Sequence, residues 1–244
     1  MELIQRNANI LQSQGKRILW IQPIHLMAHR LCQLQLRKTL VCMFPPSCLG
    51  IITLTLLLIS KANKMLGMMK RTCTNECDLK TLLILYKSLV RSQLEYASQV
   101  WSPYTKEKIT ALERVQRRAT KFILKTDLSY PERLVKLNLL PLEYRREILD
   151  LCFFFKCLKG SLDFDVLSYV NFKSPKYNIR NSEATLVKGL FKTNVFKFLF
   201  FNRIVDLWNC LPLSIRTIEY FSSFKNNVDK FYRNKFNVNK DGFL

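Results

Sequence analysis

From Asp78 to Phe231 apolar side chains recur at the three- and four-residue spacing of amphipathic helices, and Pro and Gly stand where the runs stop. A short basic helix is expected over Ile59–Cys73. A longer one, with Asp78 as its N-cap, should run to about Val100. Pro103 breaks the chain, and Thr105 can cap the next helix, Lys106 to about Lys125. Pro131 can open a short helix through Leu137. Pro141 suits the first turn of another, Leu142 to Lys159, which Gly160 ends. Asp163 to Arg180 reads as loop, and Thr185 to Phe191 as a short strand. Phe196 to Leu211 reads as helix with Pro212 as its stop. Ser222 or Ser223 can cap a last helix through Phe231, with Asn234 to Leu244 frayed. The fold class predicted is mainly α. The expected core includes Tyr86, Leu89, Trp101, Leu112, Val115, Phe122, Trp208 and Leu211.

The segment Lys106–Lys125 carries two stripes. Ile109, Leu112, Val115, Ala119, Phe122 and Ile123 share one face at ~100° per residue. Arg114, Arg117, Arg118, Lys121 and Lys125 share the other. An apolar stripe suits a core, and a basic one suits a phosphate backbone, because each neutralised phosphate releases counterions. The alternative is a plain solvated face. The totals favour the first: 39 Lys and Arg against 18 acids leave a net charge of +21, which draws polyanions over long distances. These five residues are the candidate site for RNA or DNA backbone, bound without sequence specificity. Arg91, Arg145 and Arg146 are weaker candidates.

Composition splits the chain. No acid occurs between Glu2 and Glu76, and both histidines and the longest apolar run, Cys48 to Ile59, fall in that stretch. The run is short of the roughly 20 residues that span a bilayer. A membrane anchor at 48–59 is therefore the alternative reading. His25, His29 and Cys32 have ligand-like types at helical spacing, but a fourth ligand is not evident. Cys152 and Cys157 read as core positions on an apolar helix. The eight cysteines are scattered, and Met1 to Trp20 lacks the pattern of a signal peptide, so a reduced, intracellular compartment is expected and secretion is not.

Four blocks in this order carry a family resemblance: LYKSLVRSQLEYASQVWSPYTKEKI (Leu85–Ile109), LERVQRRATKFIL (Leu112–Leu124), YPERLVKLNLLPLEYRRE (Tyr130–Glu147) and RIVDLWNCLP (Arg203–Pro212). Together with the lead-in SKANKMLG (Ser60–Gly67), they resemble the region after the palm in LINE-type, non-LTR retrotransposon reverse transcriptases of the jockey and chicken-repeat kind. The resemblance covers about Ile59 to Phe231. It implies a helical thumb-like region over 57–127, which in such enzymes grips the template–primer duplex, and a helical C-terminal region over 128–244. The family's polymerase chemistry uses clustered palm carboxylates, including a Tyr-x-Asp-Asp turn, to hold Mg. This sequence has no Asp-Asp pair, and Asp163-Phe164-Asp165 reads as loop acids in water. No polymerase or endonuclease activity, no catalytic or metal-binding residue, no cofactor and no small-molecule substrate are therefore expected.

Residues 1–56 do not continue the resemblance. Read out of frame, with each codon taking the third base of one codon and the first two of the next, they permit strings that do. Ile4 to Asn9 permit N-P-A-K-C-K. Lys38 onward permits K-D-L-G-V and then Y-V-S-S-K-L-S-W-N-N-H-I-N, with Val forced by Met43-Phe44. The expectation is an out-of-frame or unstructured segment over 1–56, without a selected fold.

Overall fold

Leucine is among the best helix formers, and eight of the twelve residues from Cys48 to Ile59 are Leu or Ile. In the computed structural model this run coils at once into α1, Cys48–Thr72. The helix thus starts at Cys48 and not at Ile59. Leu58, Ala62, Leu66 and Met69 are buried along it, and Thr55 is fully buried one turn before them. The structure describes residues 48–73, 77–161, 169–173, 185–189 and 197–238, with side chains from residue 54 onward. The chain divides into Met1–Pro46 and Ser47–Leu244, and all described residues belong to the second unit. Residues 1–47, the His25, His29 and Cys32 group, and Asp163–Asp165 lie outside the described residues.

The next helix begins as α2, Leu79–Leu85, widens to a π-helical turn over Tyr86–Arg91 and ends as α3, Ser92–Glu95. The pattern explains the π turn. Leu82, Tyr86, Val90 and Leu94 are all buried and all four apart. On an ideal helix a spacing of four drifts by ~40° per step, and a wider turn takes that drift back. Asp78 holds the N-cap position but makes no side-chain cap bond. The helix does not reach Val100. Tyr96 is extended and Ala97 is left-handed, with φ 48°, before α4, Ser98–Trp101. The break turns Trp101 into the core, 1% exposed, where its indole N–H donates to the Tyr96 carbonyl at 2.6 Å.

After Pro103 come α5, Lys106–Leu124, and α6, Tyr130–Lys136. Thr105 is the N-cap of α5 without a side-chain bond, whereas α6 has a full capping box that the proline rule overlooks. Glu132 accepts from both the Ser129 amide and its hydroxyl at 2.8 Å. α7, Leu142–Leu158, follows with Pro141 at its N-cap. It ends in a left-handed glycine turn. Gly160, φ 63°, donates to the Cys157 carbonyl at 3.1 Å and Ser161 to that of Lys156 at 2.9 Å.

α7 is the central helix, and it is buried on several sides. Cys152 and Cys157 are free thiols in that core. Against it lie α8, Phe200–Asn209, and α10, Phe221–Val238. Phe154 meets Trp208 edge-on at 5.2 Å, and Phe155 stacks on Phe224 at 4.3 Å. Pro212 both stops α8 and caps a short helix, α9, Leu213–Arg216. α10 starts one residue before Ser222 and outruns Phe231. Its buried residues, Phe224, Val228, Tyr232 and Phe236, continue the four-residue spacing to the end, so Asn234–Val238 is helical. The expected strand is real but short. β2, Leu186–Val187, pairs antiparallel with β1, Asn171–Phe172. The Asn209 amide clamps Leu186 through two 3.0 Å bonds, taking the place of a third strand. The fold is mainly α, as the pattern predicts.

Two glycines give opposite expectations. Gly160→Ala should cost roughly 1 kcal/mol, since a side chain resists the left-handed region. Gly67→Ala, inside α1, should stabilise by roughly 0.5–1 kcal/mol, because a Cβ there meets only the Arg71 guanidinium at 3.5 Å. Urea unfolding of the two variants checks both signs.

Candidate nucleic-acid interface

α5 has three faces where two are expected. Leu112, Val115, Ala119 and Ile123 are buried in the core, and Phe122 is half-buried beside them. Arg114, Arg118, Lys121 and Lys125 are exposed on one side of the helix. Between these stripes runs a buried polar line, Glu113, Gln116 and Thr120. The signal for it was present in the sequence: these residues sit at helical spacing and belong to neither stripe.

The buried line ties four elements together. Tyr86 donates to Gln116 Oε1 at 2.6 Å. Gln116 Nε2 donates to the Tyr130 hydroxyl at 3.1 Å and to the Leu140 carbonyl at 2.9 Å. The Tyr130 hydroxyl donates in turn to Glu113. The Glu113 carboxylate also accepts the Leu142 amide at 3.0 Å, one of the open donors of the first turn of α7. Thr120 accepts from Arg133 Nε at 3.3 Å. Burial pushes the Glu113 carboxyl above its usual range, against the Tyr130 bond and the attraction of Arg146.

On the exposed face the five candidates fare differently. Arg118 Nη2 donates to Asn63 Oδ1 of α1 at 3.0 Å, and its Nε to the Arg114 carbonyl at 3.3 Å. Arg117 is half-buried, its guanidinium 4.8 Å from the centre of the Tyr130 ring, and its Nε has no hydrogen-bond partner. Lys125 is the left-handed residue that ends α5. None of the ion pairs among the described residues involves Arg114, Arg117, Arg118 or Lys121.

The three weaker candidates are engaged inside the fold. Arg145 grips Glu95 with two bonds, 2.9 and 3.1 Å, and Arg91 meets the same carboxylate at 3.4 Å. Arg146 is 2% exposed, and burial works against its charge. It lies beside Asp150, which pairs with Arg203 at 2.8 Å. Arg203 also donates to the Gln99 carbonyl at 2.8 Å and so fastens α4 to α8. A cleft of about 270 Å³ opens here between Ser102–Tyr104, Glu147 and Phe198, but its charges are of both signs. It does not extend the basic face. Among the described residues no group of His, Cys, Asp and Glu is placed to hold a metal. No described helix is long and apolar enough to cross a membrane.

Compared with protein-family models, curated proteins and solved structures, the chain gives no match.

Removing the Glu113 carboxylate by Glu113→Ala strands the Tyr130 hydroxyl and the Leu142 amide in the interior, and about 3 kcal/mol of stability should go with it. Glu113→Gln keeps an acceptor and should cost under about 1 kcal/mol. The pH dependence has a definite sign. Because the folded pKa is raised, the Glu113 contribution is full below the unfolded value of ~4.3 and is lost as pH rises through the folded value. Thermal melts at pH values rising from the unfolded value of ~4.3 should show Tm falling in the parent chain and a flatter profile in Glu113→Gln. Parallel profiles would remove Glu113 as the titrating group.

Proposed function

We propose that this chain is the thumb and following region of a LINE-type reverse transcriptase, and that its role is non-specific binding of the template–primer backbone through α5. The observation that carries the reading is the ordered set of sequence blocks. Their placement in the fold supports it. The first block supplies Tyr86, Leu94 and Trp101 to the core, the third supplies Tyr130 and Leu134, and the fourth supplies Ile204, Trp208 and Leu211. Residues that make a motif here are residues that make the fold.

The second block is α5 itself. It puts Leu112, Val115 and Ala119 inward and Arg114, Arg118 and Lys121 outward. Cations in water, without acids to neutralise them, suit phosphates and carry no base readout. On this reading the carboxylates that hold two Mg ions belong to the palm, and these residues bind nucleic acid without polymerising it.

The test is duplex binding measured against salt. Affinity should fall steeply with salt and be indifferent to sequence. The triple variant Arg114→Gln, Arg118→Gln, Lys121→Gln should lower the slope of log K against log salt by about 2–3, at ~0.9 per lost phosphate contact. A slope that the variant leaves untouched would contradict the reading.

A further inference from the structure

α7 carries charged groups whose bonding the fold does not complete. Among the described residues, the buried side-chain atoms without a hydrogen-bond partner include Arg146 Nη1, Glu147 Oε2 and Asp150 Oδ1, all on this helix. Arg146 and Asp150 are each 2% exposed. The second oxygen of each carboxylate is engaged. Asp150 Oδ2 accepts from Arg203 Nε at 2.8 Å, and Glu147 accepts from the Tyr232 hydroxyl. Each acid thus keeps one open acceptor and Arg146 keeps one open donor. Buried polar groups in a fold are nearly always bonded, so three open ones on one helix turn call for a partner.

All three residues line the cleft of about 270 Å³. They stand one, three and four apart on α7, within about 6 Å along its axis. The rest of the lining is largely apolar. Pro103 is buried, Ile109 and Leu207 are half-buried, and the Tyr104 and Phe198 rings stack with their centres 4.5 Å apart. Two other charges of the cleft are taken. Arg203 donates to Asp150 and to the carbonyls of Phe198, Ser98 and Gln99. Asp206 pairs with Lys188 at 2.5 Å.

The volume sets the size of a ligand. At ~30 Å³ per water the cleft holds about nine waters, so a molecule of about nine non-hydrogen atoms fills it. The open atoms set its chemistry. A guanidinium N–H suits a carboxylate, and two carboxylate oxygens suit an ammonium. A plain amine would leave Arg146 unmet, and a plain carboxylate would leave Glu147 and Asp150 unmet. The rings and aliphatic side chains suit an apolar body.

We propose that this cleft binds a free apolar amino acid, with its carboxylate on Arg146, its ammonium on Glu147 and Asp150, and its side chain against Tyr104, Phe198 and Leu207. In a peptide the two terminal charges lie at opposite ends of the chain, so the ligand is the single amino acid. The site goes beyond the basic face of α5 and does not rest on nucleic-acid binding there.

The experiment is isothermal titration calorimetry on the full chain with L-leucine, leucinamide and isocaproate. Leucinamide lacks the carboxylate, and isocaproate lacks the ammonium. Leucine should bind saturably, and each of the other two at least roughly tenfold more weakly, since each loses a charged hydrogen bond. Glu147→Gln keeps an acceptor for Tyr232. It should weaken leucine roughly tenfold and leave isocaproate as in the parent chain. Ile109→Phe, which narrows the cleft and leaves its charges in place, should weaken leucine and leucinamide alike. A thermal melt of each variant establishes that it is folded, and the comparison of the three probes on the parent chain needs no variant. No saturation by leucine up to ~10 mM would overturn the site and leave the open atoms to water. Equal affinity for all three probes would overturn it in favour of apolar contact alone. Leucinamide binding more tightly than leucine would overturn it in favour of a simple cation site. Unchanged leucine affinity in folded Glu147→Gln would overturn the placement of the ammonium.

Discussion

The rest of the structure depends on one buried carboxylate. Glu113 is 7% exposed, yet it receives the Tyr130 hydroxyl and the first amide of α7. Gln116, one turn on, collects Tyr86, Tyr130 and the Leu140 carbonyl. Buried polar groups are tolerable only when satisfied, and here each partner satisfies the next. The consequence is geometric. The π-helical turn, α6 and the start of α7 can pack on α5 only in the register that closes these bonds. A purely apolar interface would allow sliding, and this one does not.

That register decides which way the other side of α5 points. With Leu112, Val115 and Ala119 in the core and Glu113 and Gln116 locked to α6 and α7, the arginines have only the solvent side left. Tyr130 serves both halves. Its hydroxyl closes the buried chain, and its ring carries the Arg117 guanidinium at 4.8 Å. The basic surface is thus held in place by the core's polar bonds, and Arg114, Arg117, Arg118 and Lys121 enter no ion pair among the described residues. Arg91 and Arg145 show the contrast, since both are bound to Glu95.

Much of the fold was legible because most helices here are marked by local signals. The apolar stripes, Pro141, Gly160 and Pro212 each mark a boundary or face that the structure keeps. What was not legible depended on contacts distant in sequence. The break at Tyr96 and Ala97 exists to bring Trp101 inward, and nothing local to that segment announces it. The start of α10 at Phe221 follows from its packing at 6.2 Å against Phe155, far back in the chain. The removal of Arg145 and Arg146 from the candidate site required knowing that Glu95 grips the first and that the fold buries the second near Glu113. Charge on a helix can be read from sequence, but the acid that neutralises it across a fold cannot.

On the proposed reading, the ordered blocks and the helix faces they build come from a retroelement polymerase. The decisive measurement is the nucleotide sequence of the locus and of the stretch before it. If the origin is as proposed, the codons of residues 1–56, read in the shifted frame, spell K-D-L-G-V and W-N-N-H-I, and a Tyr-x-Asp-Asp codon run lies further upstream. A shifted frame without these strings, and an upstream stretch without those carboxylates, would contradict it.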